Sequence, residues 1–235
     1  TNSTAGASNF DGSIQTTVKA NPEAGFSIVS YTANGSNSTC GHSLNAAPEI
    51  VIIKGRNADV ENWKVYHKAY GTSGSLHLNL TSQDSSSTAF NQTAPTSSVF
   101  SIGVHNATNQ NTKNYIAYCI SPVAGYSAVG SYVGNSNATD GSFIYTGFKV
   151  ALLLVKNTGA SENWLIIDAA RSPYNVAEEY LHPNTSDGED SQYYDVDLPS
   201  NGFKWRNSYS SPNNNGGTFI YAAFAENPFR NARAR

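Results

Sequence analysis

The carboxylates that could bind a metal ion or take part in hydrolysis are concentrated in residues 178–197, where the chain reads EEYLHPNTSDGEDSQYYDVD. Carboxylate oxygens are the hard ligands that Ca²⁺ prefers. The candidate Ca²⁺ ligands are Asp187, Glu189, Asp190, Asp195 and Asp197. Their spacing does not fit an EF-hand loop, so an exposed acidic loop is the simpler interpretation. The carboxylate pair of a glycoside hydrolase would have to come from the same stretch, but a sequence does not give the separation of two carboxyl groups.

Aromatic and paired charged side chains near this stretch could bind a ligand without catalysis. Tyr193 and Tyr194 lie within it, and exposed tyrosine or tryptophan rings suit sugar stacking and protein interfaces. Trp205 is a candidate for an exposed platform, although core packing fits it equally well. Asp168 and Arg171, in IIDAARSPYN, could form a sugar-binding or catalytic pair, or a salt bridge at the end of a strand.

The chain lacks the short motifs of common catalytic sites. It has no Gly-X-Ser-X-Gly, no His-Glu-X-X-His, no Cys-X-X-Cys and no phosphate-binding glycine loop. His77 lies on the polar side of the alternating run SLHLNLTS and is expected to face solvent. We therefore predict that the protein is not an enzyme and that it has no cofactor apart from the candidate Ca²⁺ site.

Composition narrows the classes of partner. The formal net charge is −3 and only 13% of residues are charged, so no basic field indicates nucleic acid as a partner. No run of about eighteen apolar residues occurs, which predicts no membrane insertion. Cys40 and Cys119 are too few for a disulfide framework, and Cys119 is predicted to lie in a buried strand.

An internal repeat is visible in the doubled motif Glu-Asn-Trp, which opens both ENWKVYHKA and ENWLIIDAA. Four further segments match in the same order: GFSIVSYTANGSN with GYSAVGSYVGNSN, EIVIIK with ALLLVK, SSVFSIG with SNGFKWR, and NYIAYCI with TFIYAAF. The offset grows only from 100 residues, between Gly25 and Gly125, to 104 in the last pair. A nearly constant offset indicates a duplication. Trp63 and Trp164 are then expected to pack in equivalent core positions.

Short strands account for most of the pattern. EIVIIK and ALLLVK are continuous apolar runs, as in strands buried on both faces. The one helical candidate is NVAEEYL from Asn175, which follows Pro173. About seven strands in each half predict an all-β fold. We expect an antiparallel β-sandwich built from two tandem pseudo-repeats of about 100 residues, with at most one short helix.

The expected boundaries follow from the repeat. Residues 1–24 should form a strand or linker from a longer chain, residues 25–124 the first β half, and residues 125–229 the second. The connection SPVAGYSAVG contains no long flexible linker, so we favour one pseudo-symmetric unit with a shared core over two separate sandwiches. Residues 230–235 form a basic tail, either a frayed terminus or a contact with a neighbouring subunit.

Several segments resemble the C-terminal module of marine bacteriophage tail-fibre and related tail structural proteins. They include FDGSIQTTVKANPEAGFSIVSYTANGSN, GHSLNAAPEIVIIKGRN, GFKVALLLVKNTG, NWLIIDAARSPYN and FIYAAFAENPF, and together they cover nearly the whole chain. The sequence departs from the more usual Gly-His-Gly-Leu-Gly form at Ser43 and Asn45. In such proteins the module commonly follows a lectin-like β-sandwich, and the resemblance implies no catalytic or binding residue.

The resemblance implies a virion protein of the tail, made in the host bacterial cytoplasm and assembled as a homotrimer with other virion subunits. The leading hypothesis is a receptor-binding domain that recognises a host cell-surface glycan or protein. A capsid or tail decoration protein that contacts only sibling subunits is an alternative. A polysaccharide depolymerase that uses carboxylates between Asp187 and Asp197 is a second alternative.

Overall fold

The structure is a computed structural model of the chain and describes residues 6–58 and 61–227. It divides into two compact units: unit 1 comprises Thr1–Leu78 and Gln83–Pro122, and unit 2 comprises Asn79–Ser82 and Val123–Arg235. All pairings between the strands of the described chain are antiparallel. The all-β, sandwich-like fold predicted from the sequence is therefore confirmed.

The described part of unit 1 contains ten strands and one helical turn. They are β1 Ala7–Asn9, β2 Thr16–Asn21, β3 Phe26–Thr32, β4 Ser38–Gly41, β5 Ile50–Gly55, β6 Lys64–His67, β7 Ser75–His77, β8 Gln83–Asp84, β9 Val99–Ile102, α1 Asn106–Asn109 and β10 Asn114–Ile120. Eight strands form a sheet in the order β1-β2-β3-β10-β5-β6-β7-β8, and β4 pairs with β9 in a second sheet. Strand β2, from the segment before the repeat, extends the larger sheet next to β3.

The core of unit 1 lies between its two sheets. Alternation along β3 and β10 buries one face of each strand, as expected for strands with one wet side. Tyr31 of β3 stacks on Tyr115 of β10 with ring centroids 5.4 Å apart, and it meets Phe100 of the smaller sheet edge-on at 6.3 Å. Cys119, as predicted, is buried in this core.

The described part of unit 2 contains eight strands and one short helical segment. They are β11 Ser127–Val133, β12 Phe143–Tyr145, β13 Val150–Asn157, β14 Leu165–Asp168, β15 Tyr180–Leu181, β16 Val196–Asp197, β17 Gly202–Trp205, α2 Ser210–Asn213 and β18 Thr218–Ala225. One sheet has the order β11-β18-β13-β14-β15, and the other has the order β12-β17-β16.

The strands of the two units pair in the same order. The order β3-β10-β5-β6 in unit 1 recurs as β11-β18-β13-β14 in unit 2. Tyr132 occupies the place of Tyr31: it stacks on Phe219 at 5.1 Å and meets Phe203 edge-on at 5.9 Å. The Tyr31 hydroxyl donates to a carbonyl in α1 and the Tyr132 hydroxyl to a carbonyl in α2, both at 2.8 Å. Both units therefore repeat one strand order and one aromatic core.

The doubled Glu-Asn-Trp motif supports the loop that leads into β6 and into β14. In unit 1 the Lys54 ammonium donates to the carbonyl oxygen of Glu61. In unit 2 the buried Lys156 ammonium donates to the carbonyl oxygen of Glu162 at 2.9 Å. The tryptophans of the two motifs differ in burial: Trp164 is buried, whereas Trp63 is half-buried and stacks on a neighbouring tyrosine ring. The expected equivalence therefore holds for chain position and not for burial.

The helix predicted from Asn175 is not formed. The backbone of Ala177 exchanges both its hydrogen bonds with Val196, and the hydroxyl of Ser172 accepts from the N–H groups of Glu178 and Glu179. These contacts hold the segment extended and leave its N–H groups unavailable to a helix. The short helices α1 and α2 occur instead at matching places of the two units, just before the last strand of each.

Each unit has a cluster of buried hydrophobic side chains of its own, and the two clusters share no residue. A single core shared by the two halves stays a prediction. Whether the halves unfold as one pseudo-symmetric unit stays a prediction. The basic tail, Arg230, Arg233 and Arg235, lies outside the described residues.

Candidate functional site

Trp205 is not an exposed platform. Its side chain has 0% exposure and packs against Tyr132 and Phe203, with ring centroids 6.3 and 6.0 Å away. The repeat explains why, because Ile102 occupies the matching strand position in unit 1 and is also fully buried. The interpretation of Trp205 as a ligand-binding residue was therefore wrong, and the residue belongs to the core of unit 2.

Asp168 and Arg171 form the salt bridge at a strand end. Asp168 is the last residue of β14, and Arg171 Nε lies 2.7 Å from its Oδ2 atom. Burial alone would raise the pKa of Asp168, but the backbone N–H and guanidinium of Arg171 outweigh it and hold the pKa below its ordinary value. Arg171 Nη1 also lies 3.4 Å from Glu189. The guanidinium therefore holds the turn after β14 and is already matched by carboxylates.

The five candidate Ca²⁺ ligands are not brought together as a site. Asp197 is engaged by Arg206 at 2.6 Å, and Glu189 contacts Arg171. Asp187 is exposed, and burial raises the pKa of Asp195. Across residues 6–58 and 61–227, no three carboxylate, histidine or cysteine side chains are grouped as a metal site. The structure thus gives the predicted Ca²⁺ site no support.

The remaining candidates, Tyr193 and Tyr194, belong to a chain of rings that we call the tyrosine surface. It consists of Tyr180, His182, Tyr193, Tyr194 and Tyr209. Tyr180 is buried and packs on the half-buried Tyr194 at 4.4 Å. Tyr193 lies 6.2 Å from Tyr194 and meets Tyr209 at 5.2 Å, with the two planes at 86°. Tyr193 and Tyr209 are 42% and 47% exposed, so this surface has a buried base and an open edge.

Carboxylates surround the tyrosine surface. Burial raises the pKa of Tyr180, and its hydrogen bond with Asp190 raises it further. The same hydrogen bond lowers the pKa of Asp190, so Asp190 is ionised at neutral pH. Burial also raises the pKa of Tyr194, helped by the negative charge of Glu162. The phenols of Tyr180 and Tyr194 therefore stay neutral hydrogen-bond donors beside negative charge.

This arrangement suits the binding of a polar ligand that also has an apolar face. Two half-exposed rings at right angles present both a face and an edge, and ionised carboxylates nearby accept hydrogen bonds from hydroxyl groups. The sequence identified Tyr193 and Tyr194 but missed Tyr209. Its contact with Tyr193 depends on the path of the chain between β16 and α2, which no local pattern indicates.

Unit 1 contains a buried polar network that the sequence did not predict. Lys64 is buried, and its Nζ atom lies 2.7 Å from His77 Nε2, 3.5 Å from Ser75 Oγ and in contact with the Asp84 carboxylate. Burial alone would raise the pKa of Asp84, but Lys64 and His77 hold it below its ordinary value. His77, expected to face solvent, is buried, because the side chains of Lys64 from β6 and Asp84 from β8 lie against its ring. The signal was available in the repeat, where Leu165 matches Lys64.

Residues 1–228 match the protein family described as Domain of unknown function (DUF7483). The chain belongs to the DUF7483 family. The match covers both units, so the duplicated architecture lies within one DUF7483 domain. No curated protein and no solved structure matches this DUF7483 chain. No helix in the described part of the chain is both long and apolar enough to cross a membrane.

Proposed function

We propose that this DUF7483 chain is a virion module without enzymatic activity, part of a bacteriophage tail fibre or tail tip, which binds a glycan or a protein on the host surface. The resemblance of its sequence to tail-fibre modules supports this setting. The observation that carries the molecular part is the pair of half-exposed rings, Tyr193 and Tyr209, at the open edge of the tyrosine surface.

Rings that are already held in place bind with little loss of conformational freedom. Tyr194 and the buried Tyr180 support Tyr193 from below, and Tyr209 contacts it from the side. The C–H face of a sugar ring could stack on such a platform, while Asp190 accepts hydrogen bonds from its hydroxyl groups. We therefore place the contact with a host glycan at this edge.

A single site of this size binds its ligand weakly, and we propose that oligomerisation strengthens the binding. In a homotrimer, with other virion subunits holding the chains together, three copies of the tyrosine surface would engage the host together. Multivalency of this kind raises weak affinity by two or more orders of magnitude without new contacts.

The test compares host binding by the wild-type chain and by the double variant Tyr193→Ala/Tyr209→Ala. Removing two stacking rings should weaken binding to host cells or their purified envelope polysaccharide by about tenfold or more, since each aromatic contact contributes about 1 kcal/mol beyond the area that it buries. The matched control is Tyr174→Ala, which removes a tyrosine of the same unit that is 83% exposed and lies outside the tyrosine surface. It should leave binding unchanged.

Other results would favour the alternatives. Equal binding by the double variant and the control would remove the tyrosine surface from the proposal. Lack of binding by the wild-type chain at avidity-level concentrations, with the chain located in the capsid shell, would favour a decoration protein. New reducing ends from host capsule, lost on substitution of Asp195 or Asp197, would favour a depolymerase.

A further inference from the structure

A polar cavity of about 170 Å³ lies on the outer face of the larger sheet of unit 1. The residues that line it are Gln15, Thr17, Ser30, Thr32, Arg56 and Asn114, together with the buried Tyr31 and Tyr115. Thr17 and Thr32 alternate with buried neighbours along β2 and β3, so they point away from the core. The cavity therefore forms where three strand ends and the residue after β5 meet, and hydroxyl and amide groups line most of it.

The sister repeat shows that Arg56 is not required by the fold. In unit 1 the N–H of Arg56 donates to the carbonyl of Asn114 at 2.7 Å, and in unit 2 the N–H of Thr158 donates to the carbonyl of Thr218 at 3.0 Å. Thr158 is thus the structural counterpart of Arg56. Unit 2 closes the same sheet corner with a small neutral side chain, so the backbone hydrogen bond at this corner does not require a guanidinium.

Arg56 is exposed, and within residues 6–58 and 61–227, which do not include Asp59, no carboxylate forms an ion pair with its guanidinium. No carboxylate is among the described residues that line the cavity. An arginine side chain stays charged and presents a planar fork of N–H donors that matches a carboxylate in two parallel hydrogen bonds. The charge in this cavity therefore favours an anionic ligand.

The size and the remaining side chains narrow the class of ligand. A volume of about 170 Å³ suits one sugar ring rather than an oligosaccharide. The Thr32 hydroxyl already donates to Asn114 Oδ1 at 2.9 Å, so these two groups form one polar wall. Hydroxyl and amide side chains can both donate to and accept from sugar hydroxyl groups.

We propose that this cavity binds one carboxylated sugar residue, with its carboxylate on Arg56 and its ring hydroxyls on Thr17, Thr32 and Asn114. The inference does not rest on the tyrosine surface, because the two sites lie in different units and are tested with different variants and ligands. It gives unit 1 a preference for acidic sugars that the carboxylate-rich surroundings of the tyrosine surface do not share.

The experiment measures binding of glucuronic acid and of glucose to the full chain by calorimetry or ligand-observed NMR. These sugars differ only in the carboxylate at C6, so glucuronic acid should bind at least about tenfold more tightly, and added salt should weaken it. Arg56→Thr, which imports the residue of the sister repeat, should lower the affinity for glucuronic acid by about tenfold or more and leave thermal unfolding unchanged. Lys68→Thr is the control for net charge, since Lys68 is an exposed unit 1 residue paired with Glu49.

Each alternative result contradicts the proposal. Equal affinity for glucose and glucuronic acid would remove the role of the carboxylate, and an unchanged affinity in Arg56→Thr would remove the site. Competition by acetate as strong as by glucuronic acid would mean that only a free anion binds. Lack of detectable glucuronic acid binding by the wild-type chain would overturn the inference outright, whatever the result at the tyrosine surface.

Discussion

Replacing Lys156 by methionine should destabilise unit 2 and remove a pH dependence from its unfolding. The Lys156 ammonium is buried and donates to the carbonyl oxygens of Asn157 at 2.9 Å, Ala160 at 3.4 Å and Glu162 at 2.9 Å. Hydrogen bonds to a charged group contribute about 1.5–3 kcal/mol each, whereas burying an ammonium costs several kcal/mol. We expect a net loss of about 1–3 kcal/mol at pH 7, because the variant leaves three carbonyls without their donor.

The pH dependence follows from the pKa of Lys156, which burial lowers from 10.5 to about 8 while the charge of Glu162 opposes the change. Between these two values the unfolded chain holds a proton that the folded chain has released. The free energy of unfolding therefore rises with pH across this window, by about 2 kcal/mol between pH 7 and pH 10 from this group alone. Buried tyrosines and cysteines titrate at higher pH with the opposite sign, so only the difference between wild type and variant isolates Lys156.

The assay is denaturant unfolding at several pH values, followed by tryptophan fluorescence in a Trp63→Phe background so that the signal comes from unit 2. The difference in stability between wild type and Lys156→Met should grow by about 2 kcal/mol from pH 7 to pH 10. Lys54→Met is the matched variant in unit 1, because Lys54 donates to the corresponding carbonyl but is only half-buried. Its unfolding is followed by calorimetry, since the fluorescence of the Trp63→Phe background reports on unit 2. A difference that stays constant with pH would refute the reasoning about Lys156.

Three further predictions test the core and the duplication. Trp205→Ala should destabilise unit 2 by about 3–5 kcal/mol, and calorimetry on the folded fraction should find unchanged ligand affinity; a large affinity loss would restore Trp205 as a binding residue. Tyr31→Phe and Tyr132→Phe should each cost about 1 kcal/mol, because each removes one buried hydrogen bond, and unequal costs in thermal unfolding would contradict equivalent halves. A fragment of residues 1–122 should unfold cooperatively with its own core, and a molten fragment by near-UV circular dichroism would indicate that the halves depend on each other.

Periodicity and self-similarity were enough to predict the strands and the duplication. The apolar runs before Lys54 and Lys156 form β5 and β13, each an inner strand of the larger sheet of its own unit. Burial on both faces was expected for these runs, but Leu152 of β13 is 38% exposed. The repeat also indicates which positions are core, since Trp205 takes the position of Ile102 and both are fully buried. When the two halves are compared, the burial of a residue is predicted better from the burial of the matched position than from the similarity of the two residue types.

Tertiary contacts decided what local pattern could not. The segment from Asn175 has a helical composition, but the backbone N–H and carbonyl of Ala177 are hydrogen-bonded to Val196 in a β-bridge. The sequence could not show which carboxylates of residues 178–197 are candidate metal ligands and which form ion pairs. Arg171 and Arg206 lie outside this stretch, and each contacts one of its carboxylates. Tyr209 belongs to the candidate site through its ring contact with Tyr193, although the two residues are far apart in the sequence.

The two halves also serve as controls for one another, because a difference at matched positions cannot be a requirement of the shared fold. Lys64 pairs with Ile53 in the register where Leu165 pairs with Val155. A buried ion pair is often no more stabilising than the apolar side chains that could replace it, so the Lys64 network is not explained by stability alone. The same reasoning applies to Arg56 and its counterpart Thr158. Here the charged residue, Arg56, lines a cavity rather than the core. In a duplicated domain, functional residues should accordingly be sought at matched positions whose side chains differ in charge while their backbone hydrogen bonds are the same.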